Sequence, residues 1–92
     1  MNLDTIRQEI DRVDQDLVAL LEKRMQLVNQ VTAYKKATGK PILDTSREEI
    51  VLQKVASRVE DKAFEQTIVN TFADIMKHSR DYQAKQVDND LA

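Results

Sequence analysis

The stretch Leu17-Val18-Ala19-Leu20-Leu21-Glu22-Lys23-Arg24-Met25-Gln26-Leu27-Val28-Asn29-Gln30-Val31 decides the fold. Leu17, Leu20, Leu21, Leu27, Val28 and Val31 recur at helical spacing, with none of the strict alternation of a strand. Arg24 stands in the middle of this apolar stripe, and Lys35 follows eleven residues later. At 100° per residue the two side chains lie within about 20° of one another around the helix and roughly 16 Å apart along it. Burying an unpaired guanidinium or ammonium costs several kcal/mol after relaxation. Two cations on an apolar face therefore imply an anion held between them.

Reading outward, the same periodicity extends back through Val13, Ile10 and Ile6, so a single helix is expected over residues 3–37, capped by Asn2 or Asp4. The chain's one glycine and one proline, Gly39 and Pro41, stand almost together and mark the strongest break. A second helix is expected over 45–58, where Thr45-Ser46-Arg47-Glu48 fits a capping box ahead of Ile50, Val51, Leu52 and Val55. A third is expected over 62–85, with Phe64, Ile68, Phe72, Ile75 and Met76 on its inner face. The polar tail, 86–92, is expected to be disordered. The fold class is all-α, with residues 1–92 forming one domain of three helices. A helix of about 35 residues is roughly 52 Å long, whereas a compact globule of this size has a diameter of roughly 32 Å. The long helix outgrows its own monomer while its apolar stripe continues, which predicts an intertwined homodimer with the long helices antiparallel across a two-fold axis.

Composition narrows the chemistry. The chain of 92 residues has no cysteine and one histidine, His78, so thiolate and multi-histidine metal sites are excluded and no metal or cofactor is expected. The formal net charge is −2 with both signs interspersed, unlike a nucleic-acid or membrane-surface binder. No apolar run approaches the roughly 18 residues of a membrane span, and the first residues lack the pattern of a signal peptide, so a cytoplasmic location is expected.

Several polar residues fall on faces where the pattern asks for hydrophobes. Ser79 and Gln83, at i and i+4, continue the face of Phe72, Ile75 and Met76; the plain alternative is that this face has reached solvent. Arg24 and Lys35 have plain alternatives too, a stem whose charge snorkels to a carboxylate and a cation at a helix end. Glu48 lies inward with Leu52 and Val55 but is also explained by capping, and Asp44 is equally a cap or a ligand contact, with Arg47 ambiguous beside them. Arg7 precedes Arg24 by seventeen residues, roughly 25 Å along the helix. It is either a solvated surface residue or, in an antiparallel dimer, a member of the other subunit's site. His78 projects about 100° away from Ser79 and is assigned no chemistry. Together Arg7, Arg24, Lys35, Arg47, Glu48, Ser79 and Gln83 suit a small polyanion. No nucleophile–base pair, carboxylate pair or metal set accompanies them, so any catalysis must come from orientation and electrostatics.

The order of these residues resembles the all-helical class of chorismate mutases, and is particularly similar to the mutase domain at the N-terminus of bifunctional chorismate mutase–prephenate dehydratases. The similarity covers residues 3–83. It rests on Ile6-Arg7-Gln8-Glu9-Ile10-Asp11-Arg12-Val13-Asp14, Leu20-Leu21-Glu22-Lys23-Arg24, Lys35, Pro41-Ile42-Leu43-Asp44, Arg47-Glu48, Ser79 and Gln83, in order and without a gap. The resemblance implies a Claisen rearrangement of chorismate to prephenate in phenylalanine and tyrosine biosynthesis, with no cofactor. It implies that Arg24, and Arg7 from the second subunit, hold the two substrate carboxylates. Lys35 and Gln83 would donate to the ether oxygen as the C–O bond breaks. Glu48 would accept from the ring hydroxyl with help from the Asp44 backbone, and Ser79 and Arg47 would complete the polar wall. The alternatives are an isochorismate pyruvate-lyase on the same scaffold and a non-catalytic helical dimerisation or regulatory module.

Overall fold

The computed structural model describes the backbone of residues 2–91 and the side chains of residues 2–88. Helix α1 spans Leu3–Thr38, α2 spans Thr45–Arg58, and α3 spans Glu65–Leu91, preceded by a 3-10 turn, Lys62–Phe64. Asn2 caps α1, its Oδ1 accepting from the Asp4 amide at 2.8 Å. The helix ends at Gly39, whose φ of 71° is left-handed backbone that glycine adopts without a Cβ penalty. The Gly39 amide and the Lys40 amide both return to the Lys35 carbonyl.

The start of α2 differs from the capping box read in the sequence. Asp44, not Thr45, is the cap, with its carboxylate accepting from the Arg47 amide at 3.0 Å. This frees Glu48 from capping. At the start of the third element Asp61 caps the 3-10 turn through the Ala63 amide, so the α-helix proper begins three residues later than expected. Its other end corrects a second expectation: residues 86–91 are helical rather than disordered. Val87 lies four residues beyond Gln83 and is half-buried, so the inner face continues past residue 85. The Lys36 ammonium also donates to the Gln86 carbonyl. Ala92 lies outside the described residues.

α3 is the central element and packs on both α2 and α1. Among the described residues the buried set is short and mostly polar: Val55 and Met76 with Thr32, Ser79 and Gln83. The first half of α1 leaves most of its apolar stripe uncovered by its own chain. Ile10, Val13, Leu17 and Leu20 are all at least 48 % exposed, an unusual length of uncovered apolar stripe. The molecule measures 54 × 26 × 15 Å with a radius of gyration of 16.4 Å, against about 12 Å for a compact chain of this length.

Candidate functional site

Where α1, α2 and α3 converge they form a cleft of about 270 Å³, just below the range of about 300–1,000 Å³ usual for small-molecule pockets. Its apolar walls include Leu27, Val28 and Val31 from α1, Val51 from α2 and Met76 from α3. Seven of the eight residues singled out in the sequence reach it: Arg24, Lys35, Asp44, Arg47, Glu48, Ser79 and Gln83. The eighth, Arg7, is exposed in the second turn of α1 and does not line this cleft.

Local geometry explains how each side chain is held. Arg24 is half-buried and donates from Nη1 to Ser79 Oγ at 2.9 Å. The Ser79 hydroxyl is itself 2.9 Å from the Ile75 carbonyl one turn back, its acceptor. Ser79 thus orients the guanidinium across the α1–α3 seam. Lys35 Nζ donates to the Ile42 carbonyl at 2.6 Å, which ties the last turn of α1 to the loop ahead of α2 and leaves the ammonium at the cleft wall. Gln83 is buried; its Nε2 donates to the Ser79 carbonyl at 3.2 Å, while its Oε1 has no partner. An amide has two N–H groups and two acceptor positions, so Gln83 retains both a donor and an acceptor for a ligand. A buried polar atom without a partner costs roughly 1–3 kcal/mol, and a ligand or ordered water that supplies the donor recovers it.

Glu48 faces the cleft from α2 and forms an ion pair with Arg80 Nη1 of α3. Arg80 is the cleft residue that the sequence analysis missed. The signal was present: Phe72, Met76 and Arg80 follow one another at i+4, so the ridge carrying Met76 leads to Arg80 just as the ridge carrying Ile75 leads to Ser79 and Gln83. Asp44 and Arg47 are exposed at the rim. The cleft therefore carries four cations, Arg24, Lys35, Arg47 and Arg80, against two carboxylates, Asp44 and Glu48.

Behind the Lys35–Ile42 contact lies a wider hollow of about 500 Å³ bounded by Thr32, Lys36, Gly39, Pro41 and Val87. Among the described residues no carboxylate lines it; its hydroxyl, Thr32, donates to the Val28 carbonyl, and Lys35 and Lys40 complete its wall. His78 is exposed on α3. Asp81, also on the outer side of α3, is held below the usual carboxylate range by the hydrogen bond and charge of Lys77; it has no part in the cleft. Among the described residues no group of His, Cys, Asp and Glu is arranged to hold a metal ion, and no helix is long and apolar enough to cross a membrane.

Residues 6–84 match the family described as chorismate mutase type II. A bifunctional chorismate mutase/prephenate dehydratase of Buchnera aphidicola subsp. Schizaphis graminum is 38 % identical over 53 residues, which is 58 % of this chain and 14 % of that protein. A protein of Haemophilus influenzae named T-protein is 43 % identical over 51 residues, 55 % of this chain and again 14 % of the relative. The match thus spans about one seventh of the length of either relative. No solved structure matches the chain.

Proposed function

This chain belongs to the chorismate mutase type II family, and from that premise we propose that it converts chorismate to prephenate by an intramolecular Claisen rearrangement. The observation that carries the reading is the convergence of Arg24, Lys35, Glu48, Ser79 and Gln83, from all three helices, on one small cleft. A pericyclic reaction needs no nucleophile, metal or cofactor. It needs a flexible dianion folded into its reactive chair and a counter-charge for the ether oxygen.

In this reading Arg24, oriented by Ser79, takes one substrate carboxylate by charge-assisted hydrogen bonds. Arg7 of a second copy takes the other. The uncovered stripe of α1 supports an antiparallel dimer, because its exposed half then lies along the partner and brings Arg7 to the partner's cleft. Arg47 closes the rim. Gripping both carboxylates selects the conformer in which the bond-forming carbons meet, so much of the entropic cost is met on binding. As the C–O bond stretches, negative charge grows on the ether oxygen. Lys35 and the free N–H of Gln83 donate to it, and because they are already in place they stabilise the transition state more than the ground state. Glu48 accepts from the ring hydroxyl, assisted by the Asp44 backbone. A millionfold acceleration requires only about 8 kcal/mol, within reach of orientation plus two such donors.

The test is incubation of the purified protein with chorismate, following loss of its absorbance and identifying the product. Prephenate formed well above the spontaneous rate is the expected result. Chorismate consumed no faster than spontaneously overturns the proposal, and pyruvate plus salicylate released in a parallel incubation with isochorismate would reassign the cleft to a lyase.

A further inference from the structure

The cleft of a dianion-binding site contains a carboxylate, Glu48, that faces the ligand space. Left alone, that carboxylate repels the ligand, since like charges a few ångströms apart in a partly desolvated pocket disfavour one another. Arg80 answers it. Its Nη1 pairs with Glu48 Oε1, and the two side chains are 29 % and 24 % exposed, so solvent and salt screen the pair only in part. Among the described residues no other cation forms an ion pair with Glu48: Arg24 is engaged with Ser79, and Lys35 with the Ile42 carbonyl.

We propose that Arg80 is a positioning residue of the binding cleft: by pairing with Glu48 it anchors that carboxylate to α3, leaves Glu48's second oxygen for the ligand, and cancels the charge that would oppose a dicarboxylate. The inference rests on the mutase reading for the identity of the dianion. Arg80 acts through Glu48 in this proposal, its Nη1 being on the carboxylate. Two consequences follow. Loss of Arg80 weakens dianion binding more than it slows the bound substrate, because Arg24, Lys35 and Gln83 remain in place. Removal of the Glu48 charge then restores the binding, because nothing is left for Arg80 to cancel.

The experiment compares wild type, Arg80→Ala, Arg80→Lys, Glu48→Gln and the double variant Glu48→Gln/Arg80→Ala. Steady-state kinetics with chorismate and calorimetric binding of prephenate are measured at low and moderate salt, with circular dichroism and thermal melting to establish folding. Arg80→Ala is expected to raise KM and weaken prephenate about tenfold, a loss that salt reduces, with kcat within about threefold. Arg80→Lys is expected to retain most of the affinity, and the double variant to bind prephenate more tightly than Arg80→Ala alone, a non-additivity of the kind that marks directly coupled residues. If Arg80→Ala binds as wild type does, or if the double variant binds no better than Arg80→Ala, the proposal is overturned while the mutase reading stands. If wild type binds prephenate without turning over chorismate, the mutase reading fails and the variant affinities still decide the role of Arg80. If wild type does neither, both fall. A melting temperature lowered equally in Arg80→Ala and the double variant, with no rescue of binding, would make Arg80 a strut of the fold instead.

Discussion

Gln83 concentrates the residue-scale argument. It is buried, its amide is fixed by the Ser79 carbonyl, and its Oε1 is unpartnered. An amide donates at any ordinary pH, so the proposed donor role makes a prediction with a definite sign. In Gln83→Glu the substituted side chain donates only when protonated, and its burial raises the carboxyl pKa above the ordinary value of about 4.3. Activity of this variant should therefore be low at pH 8 and rise as the pH falls toward and through that raised value, while wild type shows no such rise. A pH–rate profile checks this, and equal activity of the variant at pH 8 and pH 5 would contradict the donor role. At the same scale the sequence was legible where a polar residue interrupted an apolar ridge, as with Arg24, Ser79 and Gln83. It was illegible for the Glu48–Arg80 pair. The two residues are thirty-two positions apart, and periodicity within one helix carries no information about which residue of another helix stands opposite.

At the scale of elements, caps and breaks set where each wall of the cleft begins. Gly39 turns the chain at the end of α1, and the loop after it returns the Ile42 carbonyl to Lys35. A Cβ at Gly39 would meet nothing within 4 Å, so the penalty for Gly39→Ala is purely one of backbone conformation. An alanine held at a left-handed φ costs roughly 1–2 kcal/mol, partly offset by a less flexible unfolded chain. Gly39→Ala should lower unfolding free energy by about 1 kcal/mol in a denaturant titration, and Gly39→Asn by less. The helices themselves were legible because period and breakers agree over residues 3–38 and 45–58. The capping box at Thr45 misled because Asp44, one residue earlier, offers a carboxylate that reaches the Arg47 amide. The C-terminus of α3 misled because a polar composition hides a single apolar contact, Val87.

The whole molecule poses the question of its uncovered stripe. A 36-residue helix in a 92-residue chain leaves Ile10, Val13, Leu17 and Leu20 facing solvent, and burial of apolar area at about 25 cal/mol per Å² favours a partner there. The proposed antiparallel dimer also completes the site, since Arg7 does not reach the cleft of its own chain. Arg7→Ala and Arg24→Ala should each be inactive as homodimers. Unfolded, mixed and refolded together in equal amounts, they should yield about a quarter of wild-type activity, because random pairing makes half of the dimers mixed and each of those has one intact site. Absence of recovery, with mixed dimers verified by mass spectrometry, would exclude a site shared between subunits.

The sequence by itself determined the three helices, the break at Gly39 and Pro41, and the polar interruptions at Arg24, Lys35, Ser79 and Gln83, because each follows from periodicity, backbone chemistry or a polar group where a hydrophobe belongs; Asp44, Arg47 and Glu48, open on the residues alone, joined them only through the family resemblance, making seven. Only the tertiary structure decided that these seven face one another, that Glu48 pairs with Arg80 rather than capping α2, and that α3 continues to Leu91. The physical reason is range. Propensity and capping act over a turn of helix, whereas the pairing of charges across a cleft depends on how α3 packs against α1 and α2.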